Sequence, residues 1–510
     1  MLTGDMLRRS AERLPHKAAI VWGDSSVSYR ELNEQANRLA HALLAFGMKK
    51  EDKVAIISRN RPEYATVFFG AARSGCVLVN VSVLYALDEL LYVLDKADVD
   101  ILVCEADFAE KATAAAASIG RIRHTIVIGG TAPGATSFQD VLEGRPVTYP
   151  DVGIDERDPF CMTYTGGTTG RPKGVLANHR ARAITAHTVL VESGVSETDV
   201  VAIVTPLFHV AALNIMLQPA VLAGATSVLM TKWEVAGFAD MVRTNGVTAA
   251  FMVPTQVSMV ISDPDFSAAN YATWTRLNFS GAPMPDWVQL ELGKKLPQIR
   301  TTQFYGQSEM GIVASTKCAY LPAKLGTVGR QVFNVDMAVV DANGEPVKPG
   351  EIGEIVTRGD NVMLEYYNEP EQTEAFWRHG WAWSGDLGTI DIDGFVTLVD
   401  RSKDMIISGG ENIYPKEIED VLYLHPAVAE CAVFGIPDDK WGEVPAAFVQ
   451  LKGYSSVSED ELVGHCETRL ARFKRPRLIR LVDGFPKTPI GKIQKNILRQ
   501  EFWTDRKKNI

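Results

Sequence analysis

Short β-branched runs alternate with helix-length stretches in the first part of this sequence, and that alternation limits the fold more than any other feature. Val54-Ala55-Ile56-Ile57, Cys76-Val77-Leu78-Val79, Ile101-Leu102-Val103 and Thr125-Ile126-Val127-Ile128 read as strands, with helical segments such as residues 63–74 between them. Strand and helix in alternation imply α/β layering. At 510 residues the chain is longer than one core comfortably fills, so two or more domains are expected. Residues 344–353 are turn-rich, and Asp391-Ile392-Asp393-Gly394 reads as a hairpin turn before Phe395-Val396-Thr397-Leu398-Val399, whose end meets the charged residues 400–404. The domain boundary is placed there, with a large N-terminal domain of layered α/β subdomains over residues 1–399 and a small α+β domain over 404–510. In the small domain Pro415 opens a helix with Ile418, Val421 and Leu422 on one face, and residues 428–436 and 446–451 read as strands.

Charge and composition exclude several classes. A formal net charge of −10 speaks against a general nucleic-acid binder, so any anionic ligand has to be held by local cations. The six cysteines, Cys76, Cys104, Cys161, Cys318, Cys431 and Cys466, form no C-x-x-C pair and sit near no His cluster, which argues against a zinc site or a disulfide framework and fits a reducing cytoplasm. Arg8-Arg9 is followed by polar residues, so no leader peptide is expected. Residues 200–230 are largely apolar, but Pro206, His209, Asn214, Gln218, Pro219 and Gly224 interrupt them. No run approaches the roughly 18 to 20 residues that a spanning helix needs, and the stretch reads as a buried strand, loop, helix and strand.

The chemistry is announced by Tyr164-Thr165-Gly166-Gly167-Thr168-Thr169-Gly170-Arg171-Pro172-Lys173-Gly174, a Gly/Thr-rich turn after the apolar Phe160-Cys161-Met162. Glycines let the main chain approach phosphate oxygens, successive amides form an anion-binding nest, the threonines add donors, and Lys173 adds charge. The spacing is not that of a Walker loop, because Arg171 and Pro172 separate Gly170 from the lysine. An ordinary kinase or GTPase is thereby disfavoured, while a nucleotide remains the expected ligand.

That segment resembles the phosphate loop of the adenylate-forming superfamily of acyl-CoA synthetases, luciferases and nonribosomal-peptide adenylation domains, with Gly166 in place of the usual serine. Four further segments carry the resemblance in the same order: Tyr305-Gly306-Gln307-Ser308-Glu309; Trp383-Ser384-Gly385-Asp386; Asp400-Arg401-Ser402-Lys403-Asp404 with Ser408-Gly409-Gly410-Glu411-Asn412-Ile413; and Pro486-Lys487-Thr488-Pro489-Ile490-Gly491-Lys492-Ile493. The resemblance covers nearly the whole chain and is closest to acyl- or aryl-CoA ligases. It implies attack of a carboxylate on the α-phosphorus of ATP, with Thr165, Ser308 and Lys173 on phosphate oxygens and Tyr305 against adenine beside Gly281-Ala282-Pro283. Asp386 and Arg401 would hold the ribose, Glu309 would ligate Mg²⁺, and Lys492 would bridge the reacting carboxylate and α-phosphate. Residues 400–403 would be a hinge about which the small domain turns, with Lys403 changing its backbone dihedrals.

The acceptor implied is coenzyme A. Trp441, Phe473, Lys474, Arg475 and Arg477 resemble segments that receive its nucleotide, and Gly409 and Gly410 would line the pantetheine passage. The segment at Asn80-Val81 lacks the Pro-Arg of many relatives. Activation of amino acids is the nearest competitor, but such domains carry an Asp after the Phe where this chain has Phe208-His209. No carrier domain is expected after Ile510, although transfer to a separate carrier protein stays open, as do a longer-chain fatty acid and a non-catalytic ligand binder. By the same resemblance His209, Val210, Ala211, Phe251, Gly281, Ala282, Gly306, Gly311 and Ile312 surround the acid. This mostly apolar lining implies an aryl, arylpropenoic or medium-chain acid. Phe251 packs either an aromatic substrate ring or the core. The expected partners are small molecules, with no nucleic acid and no membrane span, and a homodimer is left open.

Overall fold

Val54 and Ile56 face one hydrophobic core and Ala55 and Ile57 another, because successive side chains of a strand point to opposite faces of its sheet. Burial on both faces is why this strand reads as an unbroken apolar run. The computed structural model describes residues 1–165, 172–282, 284–401, 403–409, 411–453, 455–487 and 493–503. The chain forms two compact units, one of Met1–Met337 with Thr357–Ala382 and the other of Ala338–Val356 with Trp383–Ile510. Residues 400–403 thus fall inside the second unit.

The first unit contains an eight-stranded sheet in the order Glu365–Tyr366, Lys173–Asn178, Pro159–Thr165, Val77–Asn80, Lys53–Ile57, Val99–Glu105, His124–Ile128 and Thr136–Ser137. Its strands are parallel from Pro159–Thr165 onward. A second sheet runs Ser25–Ser28, Ala18–Trp22, Thr226–Leu229, Val200–Ile203, Ala249–Met252, Arg276–Phe279, Arg300–Gln307, Gly311–Lys317 and Gly329–Gln331. It is parallel from Ala18–Trp22 through Arg300–Gln307. The helices Tyr29–Ala45 and Pro62–Ser74 pack in the core shared by the two sheets, while Leu87–Lys96 and Ala109–Ile119 cover the outer face of the first sheet and Val235–Asn245, Pro254–Ile261 and Asp286–Lys295 that of the second. The layering expected from the alternation is therefore present. Residues 200–230 form strand, helix and strand as read from the sequence, and among the described residues no helix is long and apolar enough to cross a membrane.

One buried histidine makes the first unit sensitive to acid. His179 begins the helix His179–Ser193, is 1% exposed, stacks on Phe160 with ring centroids 4.6 Å apart, and accepts the Thr3 N–H at 3.4 Å. Burial lowers its pKa from 6.5 to about 4, against an opposing pull from Asp158. Below about pH 6.5 the unfolded chain takes a proton here that the folded chain refuses until about pH 4. The site's contribution to stability is therefore full above about 6.5 and declines by about 3 kcal/mol as the pH falls to 4. His179→Phe is expected to flatten the dependence of Tm on pH across that window. A variant whose Tm falls with pH as steeply as the parent's would contradict this.

Asp336–Val340, Gly353–Arg358, Trp381–Ile390 and Phe395–Arg401, whose residues belong mostly to the second unit, are successive neighbours in a sheet. The turn at 391–394 is the expected hairpin: Asp391 accepts the N–H groups of Asp393 and Phe395, and Gly394 takes φ +82°. A five-stranded sheet orders Glu411–Ile413, Ile406–Ser408, Gly442–Leu451 and Val428–Asp438, with Leu478–Leu481 beside Gly442–Leu451. Its two faces bury separate cores. Ile418 and Leu422 of the helix Pro415–Tyr423 and Leu462 of Glu459–Glu467 fill one, and Phe434 and Phe448 meet Leu498 and Phe502 of Lys495–Trp503 in the other.

Candidate active site

The expected phosphate loop joins two antiparallel strands. Thr165 ends Pro159–Thr165, Lys173 begins Lys173–Asn178, and the two are cross-strand partners. Gly166, Gly167, Thr168, Thr169 and Gly170 lie outside the described residues. What is described is the base of the hairpin, where the Lys173 ammonium sits 5.1 Å from the centre of the Tyr366 ring. A cation over an aromatic face keeps its charge while losing some of its freedom.

Glu309 stands in the turn at 308–310 between Arg300–Gln307 and Gly311–Lys317, not at the start of a helix. The hairpin is tight. A Cβ on Gly306 would run into the Gly311 carbonyl oxygen, and Gly311 itself takes φ +62°, with Thr185 Oγ1 and Asn361 O 3.1 and 3.2 Å from where its Cβ would lie. Glycine is required at both positions by the backbone, whatever room they leave for a substrate. The Met363 N–H donates to the Glu309 carbonyl at 2.7 Å, and the Tyr366 hydroxyl donates to Glu309 Oε1 at 3.0 Å. Burial and the Glu309 charge push the Tyr366 phenol well above its ordinary pKa, so it remains a donor. Tyr305 is buried on the preceding strand and Ser308 is half-buried in the turn.

Among the described residues no group of three or more His, Cys, Asp or Glu side chains is arranged to hold a metal. The single carboxylate of Glu309 fits a hard cation such as Mg²⁺ that takes its other ligands from phosphate and water, and does not fit a resident metal centre.

His209 follows Phe208, with the two rings 4.6 Å apart, and precedes a π-helical stretch, Ala211–Leu217, that continues as the α-helix Gln218–Ala223. Pro219 has no N–H for the Ile215 carbonyl and its ring crowds that turn, which suits a widened helix just ahead of it. Val210 and Ala211 are half-buried at the head of this stretch. Phe251 and Ile312 are buried in the core between the sheets, in one cluster with Phe304 and Phe208. Gly281, at φ +92°, and Ala282 are exposed beyond the end of Arg276–Phe279, and Pro283 lies outside the described residues.

In the second unit, Asp386 and Arg401 are cross-strand partners, with Arg401 Nε 3.4 Å from Asp386 Oδ1. An acceptor and a fork of donors thus lie side by side, as a pair of vicinal hydroxyls requires. Lys403 is exposed two residues on. Gly409 takes φ +61°, donates its N–H to the Trp441 carbonyl at 2.8 Å, and leaves only 2.6 Å between its absent Cβ and the indole ring. Trp441 is 41% exposed, and the Lys440 ammonium lies 4.7 Å from its ring centre. Phe473 is similarly open, with Lys474 over its ring and paired with Glu417 at 2.7 Å. Arg475 donates to the carbonyls of Leu470 and Glu467 at 3.1 and 2.9 Å, so this guanidinium closes the end of the helix Glu459–Glu467, whereas Arg477 is exposed. Gly410 and Lys492 lie outside the described residues. Sequence reading missed Tyr366 altogether, since nothing local links it to a carboxylate 57 positions away.

Residues 7–367 match the family described as AMP-binding enzyme, and residues 417–492 match the AMP-binding enzyme C-terminal domain. The chain is 36% identical to a feruloyl-CoA synthase of an Amycolatopsis species over 97% of this chain and 98% of that protein. It is 34% identical to the long-chain-fatty-acid–CoA ligase FadD13 of Mycobacterium tuberculosis over 98% of each. The structure resembles that of the anthranilate CoA ligase AuaEII in complex with anthranoyl-AMP, with a TM-score of 0.91 at 26% identity, covering 98% of this chain and 97% of that one.

Proposed function

The chain belongs to the AMP-binding enzyme family and is an adenylate-forming CoA ligase with ATP and CoA as substrates, and on that premise we propose that the acid it activates has an apolar aryl, arylpropenoic or medium-chain body. The observation that carries this reading is the apolar packing around the elements expected to border the acid, where Phe251 and Ile312 are buried in one cluster with Phe208, whose ring lies against His209. The relative named for a feruloyl thioester supports it, and the one named for long-chain fatty acids supports a longer aliphatic tail as the second reading.

In the first step a carboxylate oxygen attacks the α-phosphorus and pyrophosphate leaves. Both reactants are anions, so positioning and charge neutralisation carry the rate. Lys173 and the loop amides would hold the phosphates, Glu309 would ligate a Mg²⁺ that offsets their charge, Asp386 and Arg401 would hold the ribose, His209 would border the carboxylate, and Lys492 would cancel charge between the reacting groups. In the second step the CoA thiol attacks the acyl carbon and AMP leaves, with Trp441, Phe473 and Arg477 receiving the nucleotide of CoA. Arg475, committed to helix carbonyls, contributes to that surface by shaping it. The six cysteines, none in a disulfide, support placement in a reducing cytoplasm.

A panel of aryl, arylpropenoic, medium-chain and long-chain acids with ATP and CoA tests the proposal through acid-dependent release of AMP. The highest kcat/KM is expected within the first three classes, and a preference for acetate or for an amino acid would overturn it. The hinge is tested separately. Proline at residue 403 fixes φ near −65° and removes an N–H. Lys403→Pro is therefore expected to spare adenylate formation while cutting thioester formation by about tenfold or more, on the scale of a blocked conformational step. Equal losses in the two half-reactions would count against a hinge at this residue.

A further inference from the structure

Residues 363–367 tie together two parts of the nucleotide site that are far apart in sequence. Along one side this segment zips onto the strand that leaves the phosphate loop: the Leu364 N–H donates to the Leu176 carbonyl and the Tyr367 N–H to the Gly174 carbonyl, each at 2.8 Å, while Tyr366 pairs with Val175. On the other side the Met363 N–H holds the main chain of Glu309 and the Tyr366 hydroxyl holds its carboxylate. Tyr366 is itself fixed, its main-chain N–H donating to Thr373 Oγ1 at 3.0 Å and its ring meeting Phe376 edge-on at 6.0 Å. Over that fixed ring lies the Lys173 ammonium.

We propose that Tyr366 is a positioning residue that sets the Glu309 carboxylate and the Lys173 ammonium relative to one another, so that the cation-ligating and phosphate-binding groups of the site act as one unit. The inference rests on the reading of Glu309 as the Mg²⁺ ligand. A glutamate has several side-chain torsions to lose, and a donor on one carboxylate oxygen selects the rotamer before the nucleotide arrives. The hydroxyl and the ring have separable duties: the first orients Glu309, the second restrains Lys173.

Tyr366→Phe removes the hydroxyl and keeps the ring, the strand pairing and the stacking. In the full-length protein, calorimetric titration of ATP at a series of Mg²⁺ concentrations is expected to show Mg·ATP bound about tenfold or more weakly, as for loss of a hydrogen bond to a charged group. ATP binding without Mg²⁺ is expected to stay at the parent value, and Tm to fall only slightly, because the lost bond is also present in the free protein. Tyr366→Leu, which removes the ring as well, is expected to weaken Mg²⁺-free ATP binding too. A double-mutant cycle guards against general damage: on a Glu309→Ala background, Tyr366→Phe is expected to cost nothing further in Mg·ATP affinity. Full additivity in that cycle, or a Tyr366→Phe protein with parental Mg²⁺ dependence, would overturn the inference. ATP binding by the parent that ignores Mg²⁺ would overturn it together with the Glu309 assignment, and would leave the choice of acid to be judged by the acid panel alone.

Discussion

Lys492→Ala is expected to slow adenylate formation by about 10² to 10³, the scale on which loss of one preorganised electrostatic group acts. Carboxylate and α-phosphate repel as they approach, and an ammonium that reaches both lowers the barrier more than it stabilises either reactant alone. ATP binding is expected to change far less, because Lys173, Asp386 and Arg401 remain. If residues 400–403 turn the C-terminal part away for the second step, the variant supplied with synthetic acyl-adenylate is expected to form thioester at close to the parent rate. Single-turnover measurement of each half-reaction checks this. A variant that adenylates normally, or loses both steps to the same degree, would show that Lys492 is not an adenylation-specific cation.

The second large effect is expected from Glu309→Gln, which keeps the size of the side chain and an acceptor for the Tyr366 hydroxyl but removes the charge. The hairpin turn at 308–310, fixed by the main-chain bond from Met363, is expected to survive, so Tm should hold. If Glu309 is the Mg²⁺ ligand proposed above, adenylation is expected to fall by about 10², as a site that gives up one charge-stabilising ligand does. The distinguishing readout is the Mg²⁺ concentration needed for half-maximal rate, which should rise in the variant. An unchanged Mg²⁺ optimum with a lowered rate would instead place Glu309 outside the coordination sphere.

Much of this was legible before any coordinates because local rules and tertiary context agree. The run at residues 54–57 is a strand in sequence and in space, and Asp391-Ile392-Asp393-Gly394 turns as its residues demand. Glu309, Asp386 and Arg401 could be singled out from short motifs alone, and the structure sets Glu309 in a hairpin turn and Asp386 opposite Arg401. Counting back from the hairpin turn would set Asp386 opposite Asp400; a register shift between Leu387 and Gly388, which the sequence does not mark, sets it opposite Arg401 instead. What stayed hidden depends on non-local geometry. Gly311 looked like room for a substrate, yet its left-handed φ and the proximity of Thr185 and Asn361 are reason enough for glycine. Arg475 looked like a cation for phosphate, yet its guanidinium turns back onto the carbonyls of Leu470 and Glu467. The π-helical turn after His209 arises where a proline interrupts the ladder of an otherwise ordinary apolar helix, and periodicity alone does not mark it. Tyr366 gives no local cue, since its role comes from a sheet register that aligns it with Val175 and aims its hydroxyl at Glu309.

The most direct measurement of the central claim is a rapid-quench experiment with enzyme in excess over ATP, an acid of the best-accepted class, and CoA withheld. An acyl-AMP ester is expected to accumulate to nearly one equivalent of ATP with matching pyrophosphate release, and to disappear into acyl-CoA and AMP when CoA is added. Release of ADP and inorganic phosphate, or pyrophosphate release that does not depend on the acid, would contradict it.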